Sequence, residues 1–308
     1  MNRDTALLRL LAALGLGARS VARLLLRLAA EQLPLEDFVA LPADHLVREY
    51  ALAPASADAL ASAGEEAREL AEHLPAHRIR MVTIVDDGYP ELLARRLGRT
   101  APPVLFTRGD LGLLRVPMVA CAGARECSAP GLAFARALAA ALVRHGANIV
   151  SGYAPGIDTA AHGGALAAGG VTTAVLASGI LHFTPRPGLA SLGDETNTLV
   201  VSEFFPTMPW RSHSAMQRNR TICAMAHAMV IVESGVSGGT FAAGRAALEV
   251  GCPLCVVDWQ DPPPSAEGNR LLIRRGGVPV ADLSGALREL TRRLHSEGPG
   301  PVTPELFG

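Results

Sequence analysis

Hydrophobic residues follow two regimes along the chain. Through residues 1 to about 75, leucine and alanine recur at three- and four-residue spacing, as in LLRLLAALGLGARSVARLLLRLAA, with breaks at Gly15 to Gly17, Pro34, Pro42 and Pro54. An apolar stripe of that period, punctuated by Gly and Pro, predicts four or five short helices. From Val116 onward the apolar residues gather instead into short continuous runs: VPMVACAG, ANIVSG, VTTAVLAS, NTLVVSE, AMVIVES, PLCVVDW and a last PVA. Helical stretches are expected over 131–145, 159–168, 240–251 and 285–295. Apolar strands alternating with helices of ten to fifteen residues predict a parallel sheet covered on both faces.

The fold class that follows is α/β: a doubly wound, mostly parallel Rossmann-like sheet with a small all-α N-terminal domain. The expected boundaries are a helical domain over 1–75, a connector packing on the sheet domain over 76–115, the Rossmann-like domain over 116–297, and a flexible Pro- and Gly-rich tail over 298–308.

Five segments are expected at strand ends: CAGAR (Cys121 to Arg125), SGYAPGID (Ser151 to Asp158), the pair Ala161 and His162, QRNR (Gln217 to Arg220) and SGVSGGT (Ser234 to Thr240). Glycines there leave backbone N–H groups open and admit a phosphate closely, and arginines add charge and forked donors. Ligands of open α/β sheets bind beyond the carboxyl ends of the strands, so a phosphate-bearing ligand is expected. No G-x-G-x-x-G opens a helix at Gly123, which argues against a dinucleotide enzyme. The chain has no lysine, all 28 basic residues being arginine, and this excludes a P-loop.

The net charge of -1 places any nucleic-acid role on a local patch. The five cysteines lie mostly in apolar runs, and Cys252 and Cys255 have neither the second pair zinc needs nor the helix start redox chemistry needs. They read as buried thiols in a reducing, cytoplasmic compartment. The opening residues end in small residues as a secretory signal does, but Asp4 and Arg9 interrupt them and a folded helix is expected. No eighteen apolar residues run without a charge, so no membrane contact is expected.

GAR, SGYAPGID with its following AH, TAVLASG, VVSE, RNR, IVES with SGGT, and EGNRLLIRRGG stand in the order and spacing of the DNA-processing protein A family (DprA or Smf), and residues 92 to 280 resemble it. The LGLGARSVARLLLRL segment also resembles a helix-hairpin-helix, whose Gly turn either touches DNA or merely packs. The family resemblance implies a non-enzymatic, cofactor-free homodimer that binds and protects single-stranded DNA and loads the RecA recombinase in natural transformation. It implies that Gly123 and Arg125, in the first glycine turn, face the DNA backbone, with Ser151, Gly152 and Gly156 in the second turn. Arg218, Asn219 and Arg220 match the Arg-Asn-Arg element, and Ser237, Gly238, Gly239 and Thr240 match the last phosphate-facing loop. Arg108 stands where the family has a basic residue before the sheet, and Phe204 where an aromatic can stack on a base. Three departures stand out: FTPRP at Phe183 to Pro187, SGGTFAAGR, and VVDWQDPPP. Members often add a C-terminal winged helix, for which the remaining residues leave no room.

Structural alternatives accompany these assignments. Arg218 or Arg220 can instead pair with Glu203 or Glu233, Asp158 can cap a helix, and His162 can be a packed histidine. Glu203 and Glu233 lack a nucleophile or metal cluster to complete a hydrolytic site. The rival function is a nucleotide-binding sensor or a nucleoside-phosphate-cleaving enzyme of the phosphoribohydrolase superfamily. Against it, position 243 is Ala where those enzymes carry a glutamate after their Gly-Gly-Thr.

Overall fold

The computed structural model describes residues 1–13, 15–62, 64–190, 192–193 and 196–294. The predicted tail over 298–308 and the end of the predicted last helix lie outside the described residues. Six helices come first: α1 (Arg3–Ala12), α2 (Ala18–Ala30), α3 (Leu35–Phe38), α4 (Ala43–Tyr50), α5 (Pro54–Ser62) and α6 (Gly64–Ala76). Their stripes of leucine, such as Leu7, Leu8 and Leu10 on α1 and Leu24, Leu25 and Leu28 on α2, are buried together. Leu35 and Phe38 of the four-residue α3 join them, and with α3 the helices number six among the described residues where four or five were expected.

The stretch expected as a connector is part of the sheet itself. It forms β1 (Ile79–Thr83), α7 (Glu91–Leu97) and β2 (Val104–Gly109), and β2 runs antiparallel to both of its neighbours, with Phe106 opposite Ser202. The remaining strands are β3 (Met118–Ala122), β4 (Asn148–Ser151), β5 (Val171–Val175), β6 (Thr198–Ser202), β7 (Ala228–Ile231), β8 (Leu254–Val257) and β9 (Val278–Val280). Between them lie α8 (Ala129–Arg144), α9 (Ile157–Ala167), α10 (Ser212–Met225), α11 (Gly239–Glu249) and α12 (Asn269–Arg274), with α13 (Leu283–Leu294) last.

Nine strands form one sheet in the order β1-β2-β6-β5-β4-β3-β7-β8-β9, and β3 through β9 pair in parallel. Alternation along each strand feeds two cores. Val119 and Cys121 of β3 face α8, α9 and α13, whereas Met118 and Ala120 face the side covered by α10, α11 and the N-terminal helices. From β3 the chain winds outward through β4, β5 and β6, then returns to place β7 against the other edge of β3. The strand order therefore reverses between β3 and β7, which opens a crevice beyond their carboxyl ends. No helix among the described residues is long and apolar enough to cross a membrane.

Candidate nucleic-acid interface

The first glycine turn sits at this reversal and its shape is set by packing. A Cβ on Gly123 would lie 2.4 Å from the Ile157 side chain at the start of α9, so only glycine lets the helix approach β3. The Thr240 hydroxyl donates to the Gly123 carbonyl at 2.9 Å, and the Ala124 N–H donates to the Glu233 carbonyl at 2.8 Å. Gly156, at φ +82°, abuts the carbonyls of Ala124 and Arg125, where a Cβ would clash. With its backbone clamped from three sides, the turn projects the exposed Arg125 side chain outward, with no ion-pair partner among the described residues.

Two clefts meet at Arg125. A central lobe of about 910 Å³ is lined by Arg125, Trp210, Met216, Asn219 and the loop from Gly235 to Phe241, and a second lobe of about 660 Å³ by Arg125, Tyr153, Phe183, Arg186 and Trp210 among others. Arg125 and Trp210 form the shared wall, so the two lobes are one groove across the ends of β5, β4, β3 and β7. The central lobe receives the N-terminus of α11, whose Ncap Gly238 has φ +89° and no side-chain cap; its first-turn N–H groups present partial positive charge there. The same lobe collects exposed apolar groups: Trp210 is 56% exposed, Met216 58% and Val236 54%. Large apolar side chains clustered in the open mark a binding surface.

Beneath the second lobe lies a buried polar cluster. Arg218 is only 7% exposed, and its Nη1 donates to the Val175 carbonyl at 2.7 Å. A Cβ on Gly152 would lie 2.0 Å from that Nη1, so the guanidinium is flush against the second glycine turn. Asp158 accepts from the N–H groups of Gly152 and Ala154, both at 3.2 Å. Burial raises the Asp158 pKa, and the Arg218 charge and these hydrogen bonds oppose the rise. Burial likewise lowers the Arg218 pKa, against the pull of Asp158 and Glu203. His162 bonds Thr172 through Nδ1 at 2.7 Å, and burial, with Arg218, holds it neutral with a pKa pushed down to about 3.

The structure thus separates residues the sequence groups together. QRNR and the Ala161–His162 pair lie on α10 and α9, not at strand ends. At 100° per residue the three members of Arg-Asn-Arg face three ways. Arg218, largely buried, forms part of the floor of the second lobe beside Gly152; Asn219 donates to the Gly239 carbonyl at 3.1 Å in the central lobe; Arg220 is exposed toward another cleft. Ser151 is buried with its hydroxyl donating to the Cys121 carbonyl, and the Gly152 N–H is already engaged, so as folded neither offers a group to a phosphate. Phe204 is 6% exposed and its ring is part of the core, which removes it as a stacking surface. Arg108 lies beside β6, its guanidinium 5.8 Å from the Phe183 ring centre, and lines neither lobe. Ser237, Gly238, Gly239 and Thr240 do line the central lobe.

Asp158 sits in the first turn of α9, whose Ncap is Gly156; it ties back the preceding loop where a cap was expected. The two strand-end glutamates are anchors. Glu203 accepts from Thr221 Oγ1 and Gln217 Nε2, both at 2.6 Å, and burial raises its pKa. Glu233, fully buried, accepts from the Ser128 N–H, the Ser128 hydroxyl and Ser265 Oγ, which fixes the start of α8. Neither lines the two lobes at Arg125.

Trp210 and Tyr153 escaped the sequence reading. Tyr153 takes a left-handed backbone at φ +58°; its hydroxyl accepts from the Arg186 N–H at 2.6 Å and donates to the Thr184 carbonyl at 3.2 Å. It thereby holds the FTPRP loop as the groove's outer wall, with the Arg186 guanidinium 5.0 Å from its ring centre. The signal for Trp210 was available: an aromatic in the Pro-rich, polar stretch PTMPWRSHS, outside any apolar period.

A nine-stranded, doubly wound Rossmann-like sheet, with an arginine, an open helix N-terminus and exposed apolar side chains converging at its reversal point, defines a class of α/β binding proteins. Within that class the chain belongs to the family of DNA recombination-mediator protein A, whose profile matches residues 80–291. Protein Smf of Escherichia coli is 33% identical over 208 residues, 67% of this chain and 55% of that protein, so the chain spans about half the length of this relative. The DNA processing protein DprA of Streptococcus pneumoniae is 33% identical over 210 residues, 67% of this chain and 73% of that protein. The X-ray structure of S. pneumoniae DprA superposes with a TM-score of 0.76 at 26% identity, over 92% of this chain and 96% of that one. DprA of Helicobacter pylori, whose structure was solved for its single-stranded DNA binding mode, shares the fold, with a TM-score of 0.60 at 23% identity over 71% of this chain and 98% of that one.

Proposed function

We propose that this chain is a single-stranded DNA-binding recombination mediator, without catalytic turnover, that works in the cytoplasm as a homodimer, protects unpaired DNA and delivers it to the RecA recombinase. The observation that carries the reading is the groove at Arg125. Phosphates are held by the Arg125 guanidinium and the α11 N-terminus, and unpaired bases lie on Trp210, Met216 and Val236. Such a surface needs bases that are unstacked and free to turn, which duplex DNA does not offer. Delivery to RecA and the dimer rest on family membership.

The nucleoside-phosphate-cleaving alternative is disfavoured by the groove's lining, because neither lobe is lined by a carboxylate among the described residues. A glycosidic bond breaking there would lack a group to stabilise charge on the ribose. Anisotropy titrations with labelled single strand and with duplex of the same sequence, over a range of salt, test the proposal. Single strand binds more tightly, with a log-log salt slope of about -0.7 per phosphate held. Equal affinity for duplex, or salt-independent binding, overturns the reading; base released from AMP at a multiple-turnover rate restores the enzyme.

A further inference from the structure

The groove continues past its central lobe. Ser212, Ala215, Met216 and Asn219 of α10, at i, i+3, i+4 and i+7, face the central lobe, and Met216, Gln217, Arg220 and Thr221, one step around the helix, face a third cleft of about 540 Å³. Met216, Ala242 and Arg245 line both spaces, so the passage between them is open. On α11 the continuation is the stripe Ala242, Arg245, Ala246 and Glu249, again at i, i+3, i+4 and i+7. The far wall is the start of α2, Ala18 and Arg19, from the N-terminal helices.

We propose that this third cleft carries the single strand onward from the sheet edge, which makes the N-terminal helices one bank of the DNA path. The proposal rests on the single-stranded DNA reading above and extends it by a second phosphate-binding stretch. Arg19, Arg220 and Arg245 converge from three separate helices. Arg19 and Arg220 are exposed and have no ion-pair partner among the described residues; Arg245 is 3.1 Å from Glu249 on its own helix, within reach of a phosphate as well. The acidic groups in the cleft are engaged, Glu249 with Arg245 and both oxygens of Glu203 with Gln217 and Thr221. Leu97, Ala242 and Ala246 supply an apolar floor. Charged walls over an apolar floor suit a chain of alternating phosphates and flat bases.

Oligonucleotide length separates the two stretches. An oligonucleotide of about 4 nucleotides fills the groove at Arg125, and one of about 16 reaches the third cleft as well. The double variant Arg19→Ala with Arg220→Ala is expected to raise the Kd of the long oligonucleotide roughly tenfold or more. It also lowers the log-log salt slope by about 1.4, for two phosphates at about 0.7 each. Its Kd for the short one stays at the wild-type value. Arg125→Ala weakens both lengths, and Arg23→Ala, exposed on the same helix as Arg19 but outside the cleft, weakens neither. Should the double variant melt early, the single exposed change Arg19→Gln gives the same comparison. If the long oligonucleotide binds the double variant as tightly as wild type while Arg125→Ala still weakens both lengths, the continuation is wrong and the function reading stands. A loss for Arg23→Gln equal to that for Arg19→Gln also overturns the cleft, because diffuse charge then accounts for it. If wild-type protein binds neither length, the function reading falls and the continuation with it.

Discussion

Removing Arg218 and removing Arg125 should damage different properties. Arg218→Ala takes the cation from beside Asp158 and vacates the space under Gly152. Deleting one member of a directly bonded buried ion pair costs about 3 to 5 kcal/mol. Arg218 and Asp158 make no direct ion pair among the described residues, and Asp158 keeps its two backbone N–H donors, so the expected loss is smaller, about 2 kcal/mol. Arg125→Ala, at an exposed position with no ion-pair partner among the described residues, should leave stability unchanged and cost about 1.5 to 3 kcal/mol of single-stranded DNA affinity. The Arg218 deficit also depends on pH. A carboxyl whose folded pKa is raised binds a proton more readily in the fold than in the unfolded chain. Its stabilising contribution is full below the unfolded value and is lost as pH rises through the folded one. Without Arg218 the Asp158 pKa rises further, so the deficit is smaller at pH 4 than at pH 8. Urea unfolding at both pH values, paired with anisotropy titrations, reads all of this. An Arg218→Ala protein as stable as wild type but unable to bind DNA would show that the guanidinium turns out to the ligand, and would refute the buried-anchor account.

Two further outcomes are expected. Trp210→Ala lowers single-stranded DNA affinity by about 1 to 3 kcal/mol with unchanged urea stability, while Phe204→Ala does the reverse and costs about 3 to 5 kcal/mol of stability, as measured by titration and urea melts of both variants; a Trp210→Ala protein that binds normally would remove the stacking role. His162 folds neutral with a pKa near 3 against an ordinary 6.5, so its contribution to stability is present above pH 6.5 and falls as the solution is acidified toward 3. His162→Gln should flatten that part of the stability–pH curve, and an unchanged curve would contradict the burial.

The periodicity of the chain carries the sheet well, because β3 to β8 are buried on both faces and read as short runs of apolar residues mixed only with small polar ones such as Thr172 and Thr173. The edge pair β1 and β2 does not announce itself. β1 alternates buried Ile79 with exposed Arg80, a five-residue signal that a polar connector imitates. Helix α10 hid for a related reason: its buried positions include Ser214, Arg218 and Thr221, so no apolar stripe marks it. At the site, glycines were legible as close approaches but not as to what approaches. Gly123 yields to Ile157 and Gly152 to Arg218, protein groups where a phosphate was expected. Phe204 and Trp210 are both aromatics after β6, and which is exposed is decided by tertiary packing that local sequence does not encode.

Because consecutive residues of α10 face the buried cluster, the central lobe and the third cleft, the helix tolerates no change of length ahead of them. One residue inserted or deleted between Ser212 and Gln217 would turn Arg218, Asn219 and Arg220 by about 100°. The buried charge would then swing into solvent and the amide or the other arginine into the core. Gaps among relatives of this chain should accordingly fall in the loop over 203–211, where Trp210 is carried, and not within the helix. The aromatic of the groove is therefore free to vary in reach from one relative to the next, while the arginine beneath it keeps its count from the helix start.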